Sequence, residues 1–188
     1  MHDTSSTLLE RLRQRSDQEA WNRFVDLYTP LLYHWGQRLG LSSHDLADFV
    51  QDLLTLLVVR LPEFTYDSRQ SFRSWLKTLV VNKWRDRMRR RNAPEPASGL
   101  DRLPDGTTDP AEVLCEVEYR EYLVGRVLLY VRSEFPPSIW QAFWEVTVED
   151  KPPQQVAGEL QLSLNSVYLA KSRVLRRLRE ELAGLLDS

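Results

Sequence analysis

Residues Phe64 to Arg91 read FTYDSRQSFRSWLKTLVVNKWRDRMRRR, and this stretch decides the fold. From Phe72 onward its apolar residues, Phe72, Trp75, Leu76, Leu79 and Val80, recur at helical spacing. At about 100° per residue they share one arc, so the segment is expected to be an α-helix packed on a core. A second set, Ser71, Ser74, Thr78, Asn82, Arg85 and Arg89, falls together on another face. Hydroxyls, an amide and guanidiniums along one strip are the donors that suit phosphates and exposed base edges. Arg87, Arg89, Arg90 and Arg91 crowd the helix end, where the helix dipole accounts for only one or two of them. A solvated basic face is the plain alternative. Against it, the run is strongly one-signed and follows a loop bearing Phe64, Tyr66 and Asp67. Aromatic rings beside a cationic track bind unstacked single strands by stacking and backbone charge, which makes nucleic acid the leading partner.

Charge along the chain has the same pattern. Residues 64–92 hold 9 Lys or Arg against 2 Asp or Glu, and residues 163–188 hold 5 against 3. Residues 1–63 hold 6 against 9, and residues 93–162 hold 5 against 13, so a net charge of −2 hides two basic patches held apart by acidic stretches. Such alternation is expected when different surfaces meet different partners. Hydrophobic content of 42% excludes wholesale disorder. The single Cys115 excludes an internal disulfide framework or a cysteine-based zinc site and suits a reducing cytoplasm. The longest apolar-rich run, Leu53 to Val59, is too short to span a bilayer, so a cytoplasmic protein without membrane insertion is expected.

Upstream, Ser16-Asp17-Gln18-Glu19 reads as a capping box opening a helix whose buried side is Ala20, Phe24, Leu27, Tyr28, Leu31, Leu32 and Trp35. Pro30 predicts a kink or break within it, and Gly40 its end. Ser42 or Ser43 caps the next helix, which runs to about Arg60 with Leu46, Phe49, Val50, Leu53, Leu54, Leu57 and Leu61 inward. Asp45, Asp48, Gln51, Asp52 and Thr55 share the opposite side. Asp45 and Asp48 suit the positive helix start, but Asp52 lies past the first turn, so the stripe is a candidate docking face for a basic partner.

Downstream, residues 92–110 carry four prolines and two glycines and read as a linker. Helical pattern resumes at about Ala111 through Val113, Leu114, Val117, Tyr122, Leu123, Val127, Leu128 and Val131, and Pro136-Pro137 breaks it. A further helix carries Ile139, Trp140, Phe143 and Trp144 as core. The final part reads as helix–turn–helix. Asp150 is expected to cap its first helix, Gln161-Leu162-Ser163 to form the turn, and Ser163 to cap the second. That second helix would bury Leu164, Val167, Val174, Leu175, Leu178, Leu182 and Leu185. It would turn Asn165, Leu169, Ser172, Arg173 and Arg176 toward a major groove, with Tyr168 and Lys171 near the edges of that face, first-turn residues on bases and later cations on phosphates. No strand pattern occurs, so the chain reads as all-α, two small helical domains joined by a flexible linker.

Over nearly its whole length the chain resembles the small two-domain sigma factors of the extracytoplasmic-function group within the sigma-70 family. Asp45-Leu46-Ala47-Asp48-Phe49-Val50-Gln51-Asp52 resembles the family's polymerase-binding signature. Ser71 to Leu76, followed by Asn82 and Arg85 to Arg91, resembles its promoter-melting region. The resemblance implies a region 2 domain over residues 1–92, a linker over 93–110 and a region 4 domain over 111–188. Asp45, Asp48, Gln51 and Asp52 would then meet the β′ clamp helices of core RNA polymerase. Phe64, Tyr66, Asp67, Ser74, Thr78, Asn82, Arg85 and Arg89 would capture the opened −10 strand. Asn165, Ser166, Tyr168, Leu169, Ser172, Arg173 and Arg176 would read the −35 duplex, and the second domain would meet the β flap. An anti-sigma factor is a further implied partner, with no cofactor, metal or enzymatic step. The family usually places Gly where this chain has Gln161, a position that often needs a positive φ. The competing reading is a helix–turn–helix regulator acting on duplex operators without polymerase. A metal-dependent hydrolase using His44, Asp45 and Asp48 is disfavoured, since only one histidine accompanies the acids.

Overall fold

Helical periodicity carries through to an all-helical fold among the described residues. The computed structural model describes residues 7–64, 71–91, 114 and 116–186, and no β-strand occurs among them. The helices are α1 (Leu8–Arg11), α2 (Gln18–Arg38), α3 (Ser43–Arg60), α4 (Phe72–Arg91), α5 (Glu116–Glu134), α6 (Pro137–Thr147), α7 (Pro153–Glu159) and α8 (Leu164–Leu182). A 3-10 turn over Leu61–Glu63 follows α3. The expected linker over 93–110 lies outside the described residues.

The chain divides into two compact units, one of Leu8–Tyr122 with Gly184–Ser188 and the other built on Leu123–Ala183. This grouping differs from the expected boundaries at 92 and 111. In the first unit α2 packs on α3, and α3 on α4. Phe24, Tyr28, Leu31, Leu32, Trp35, Phe49, Leu53, Leu57, Phe72, Leu76 and Val80 form its core. Gly36 allows the close approach of α2 and α3, since a Cβ there would stand 2.3 Å from the Cδ1 of Leu46. Asp17, rather than Ser16, caps α2 by accepting from the Ala20 amide. Arg11 pairs with both Asp17 and Glu19, tying α1 to that cap. The break expected at Pro30 is absent, and α2 is one helix of 21 residues. Pro30 lies on the exposed side, where water can take up the carbonyl that its missing N–H leaves behind.

Tyr119 completes this unit from the start of α5. Its ring stacks on Trp35, its hydroxyl lies 3.1 Å from that of Tyr28 and donates to the Leu185 carbonyl, and Arg73 sits over its face. Val117, expected inside, is exposed instead, because the buried row runs Tyr119, Leu123, Val127 and Val131. Leu185 is buried as expected, but beyond the end of α8 and as part of the first unit.

In the second unit α6, α7 and α8 pack on one another around Ala142, Val146, Val156, Val167 and Ala170. Trp140 and Phe143 are buried and Trp144 half-buried. Asp150 does not cap α7; it takes a left-handed φ of 55° in the connection, and Pro152 is the cap. Lys151 fastens that connection, reaching Glu145 at 3.1 Å, Glu159 at 3.4 Å and Glu149 at 3.5 Å. Helix α7 closes with the Leu162 amide on the Ala157 carbonyl at 2.9 Å and the Gln161 amide on that of Gly158 at 3.4 Å. This is the Schellman arrangement, with Gln161 as its left-handed residue at φ 53°. Ser163 then caps α8 by accepting from the Ser166 amide. Leu164 is exposed rather than inward, since it opens the helix one turn before the buried row.

Candidate nucleic-acid interface

Helix α4 is sorted by its own geometry. Phe72, Leu76, Val80 and Val81 are buried, while Ser74, Thr78, Asn82, Arg85 and Arg89 are all exposed. Successive members of the exposed row are three or four residues apart, so they lie along one line of the helix surface. Ser71 sits at its head and accepts from the Ser74 amide, while Thr78 donates back to the Ser74 carbonyl. Both hydroxyl oxygens keep capacity toward a ligand. Arg89 also pairs with Asp86, one turn before it. Trp84 anchors the helix by donating to the Leu39 carbonyl at 3.1 Å, a tether the sequence reading missed.

Phe64 corrects the reading of the preceding loop as an exposed aromatic platform. It is only 7% exposed and packs at 5.5 Å from the ring of Phe72 and 4.9 Å from that of Trp75. Its carbonyl accepts from Arg13. Phe64 therefore anchors the start of the loop and cannot stack on a base without leaving that cluster. Tyr66 and Asp67 lie outside the described residues.

The acidic stripe is built on the neighbouring helix. Asp48, Gln51, Asp52 and Thr55 are exposed on α3, and Val58 and Val59 extend the same side with apolar surface. Asp45 has a different setting. It is part-buried, accepts from Ser42 at 2.7 Å, and takes Arg87 of α4 at 2.6 Å. The Ser42 hydroxyl and then the Arg87 guanidinium hold its carboxyl below the ordinary 3.8. Asp45 thus closes the helix start and ties α3 to α4 as well as contributing to the stripe. Asp52 lies 3.0 Å from Lys83, a second bond between the two helices. Both pairs join residues far apart in sequence, so no local spacing announced them. Among the described residues no group of three or more His, Cys, Asp or Glu side chains is placed to hold a metal. No helix among them is long and apolar enough to cross a membrane.

On α8, Asn165, Tyr168, Leu169, Ser172, Arg173 and Arg176 are exposed, opposite buried Val167, Ala170 and Val174. Ser166 is half-buried and bonded to Ser163 at 2.8 Å, so it belongs to the cap. Arg179 is exposed three residues past Arg176 and continues the cationic row. The same spacing that found Arg173 and Arg176 would have found it.

Residues 24–93 match the family model for sigma-70 region 2, so α4 and the acid-bearing α3 lie in a region 2 domain. Over 176 residues the chain is 25% identical to the ECF RNA polymerase sigma factor RpoE of Cereibacter sphaeroides, covering 94% of this chain and 93% of the relative. A solved RsbN-BldN complex is similar at a TM-score of 0.38 and 15% identity, covering 95% of this chain and 99% of that one. The first unit thus carries a sigma-70 region 2 domain, and over nearly its whole length the chain is similar to an extracytoplasmic-function sigma factor.

Proposed function

We propose that the chain binds core RNA polymerase through the α3 stripe and directs initiation by holding the opened −10 strand on α4 and the −35 duplex on α8. The single observation that best supports this is the exposed row Ser74, Thr78, Asn82, Arg85 and Arg89, set on the helix next to the acids within the region 2 match. Asp48, Gln51 and Asp52 would meet the β′ clamp helices, with Val58 and Val59 adding apolar contact. The second unit would meet the β flap while α8 occupies the major groove. An anti-sigma factor would act by covering these surfaces. Splitting promoter affinity between two readers makes each weak alone and the pair dependent on spacer length. No bond chemistry is required of the chain. Melting follows from tighter binding of the separated strand than of the duplex.

Two assays separate these roles. Arg85→Ala and Arg89→Ala are expected to reduce open-complex formation, read as permanganate reactivity of unpaired thymines, while leaving competition for core polymerase near wild type. Asp52→Ala is expected to do the reverse. Equal losses in both assays for all three variants would refute the division.

A further inference from the structure

We infer that α8 selects A·T pairs, Asn165 bonding an adenine edge while Leu169 and Tyr168 pack on thymine methyl groups. This deepens, and rests on, the reading of α8 as the duplex reader. Over residues 164–172 the outward arc of α8 carries Leu164, Asn165, Tyr168, Leu169 and Ser172, with neither a cation nor a carboxylate among them. Tyr168 is 52% exposed and Leu169 44% exposed, although both are large and apolar in body. Cations enter that face only afterwards, as Arg173, Arg176 and Arg179.

The order of these residues determines what can be read. In a helix–turn–helix the first turns of the second helix meet base edges and the later cations meet phosphates. Guanine is recognised chiefly by a bidentate Arg or Lys on O6 and N7, and none faces outward here. Lys171 is half-buried on the flank. Cytosine is matched by Glu or Asp accepting from its N4 amine, and this arc has no carboxylate. Asn matches adenine N6 and N7, and apolar side chains match the thymine C5 methyl. From Asn165 to Ser172 the helix advances about 10 Å, roughly three base-pair steps. That is room for one adenine contact and one or two methyl contacts. The exposed Leu and Tyr are thereby given an occupant, and the arginines hold the same duplex by its backbone.

The test uses holoenzyme made from the full chain and bacterial core polymerase. Promoters are recovered by run-off transcription from a pool randomised across the upstream element. A·T pairs should be enriched where α8 docks. Replacing thymine by uracil in that element alone deletes only the methyl. It should weaken binding about fourfold per buried methyl at fixed salt, the equivalent of about 0.8 kcal/mol. In Leu169→Ala, at a site exposed enough to leave folding intact, thymine and uracil should bind more nearly alike. Enrichment of G·C, equal binding of thymine and uracil, or undiminished discrimination by Leu169→Ala would overturn the inference while leaving promoter-directed transcription standing. If no promoter-specific transcript arises at all, the reading it rests on fails, and the inference with it.

Discussion

Gln161→Gly should stabilise the second unit, and the chain contains its own control. Among the described residues, α2 and α7 end in the same Schellman geometry. After α2, Gly40 takes φ 79°, with the Leu41 amide on the Gly36 carbonyl and its own amide on that of Gln37. After α7, Gln161 takes φ 53° with the equivalent pair of bonds. A side chain in the left-handed region costs roughly 1–2 kcal/mol through the contact of Cβ with the following carbonyl. Glycine removes that cost but gives back about 0.5–1 kcal/mol of extra chain entropy in the unfolded state. Gln161 is exposed, so little packing is lost. The net gain is about 0.5–1 kcal/mol, a two- to fivefold fall in the opening equilibrium. Native-state hydrogen exchange of the α7 and α8 amides should show added protection of that size. The converse change, Gly40→Gln, places a Cβ in open space and should cost the first unit a similar amount through the backbone alone. Unchanged or reduced protection in Gln161→Gly would refute the reasoning.

Phe64→Ala should lower the stability of the first unit by about 3 kcal/mol, as expected for emptying a buried aromatic site, read by urea denaturation. Wild-type stability would mean the ring is exposed in solution. Asp45 has a lowered carboxyl pKa, so its contribution is complete above the ordinary 3.8 and is lost as pH falls through the lowered value. Asp45→Asn should therefore be less stable than wild type at neutral pH, and urea midpoints should converge once the pH has fallen below the lowered carboxyl pKa. Arg85→Ala and Arg89→Ala should each reduce the slope of log affinity against log salt for single-stranded −10 DNA on holoenzyme by about 0.7, and an unchanged slope would remove that arginine from the phosphate contacts.

What the sequence disclosed follows the range of the physics involved. Helices α3 and α4 were legible because the rows Leu46, Phe49, Val50, Leu53, Leu57 and Phe72, Leu76, Val80 repeat within a single element. The exposed row from Ser74 to Arg89 followed from the same period. Phe64 was misjudged because an aromatic just before a helix reads alike whether it anchors a loop or projects from it. Only the three-ring contact with Phe72 and Trp75 separates the two. Pairs such as Asp45 with Arg87 and Tyr28 with Tyr119 depend on chain reversal, which no local spacing encodes. Leu185 looked like one more turn of α8 by periodicity, whereas the helix ends at Leu182 and Leu185 belongs to the first unit. The left-handed backbone at Gln161 was foreseeable from its place in the turn, though its residue type argued against it.

The most direct measurement is run-off transcription by purified bacterial core polymerase on a genomic promoter pool, with and without the full chain. Discrete new transcripts that require the chain, start at fixed sites and disappear on combined loss of Arg85 and Arg89 are predicted. Transcripts unaltered by the chain, together with a specific duplex footprint from the chain alone, would contradict it.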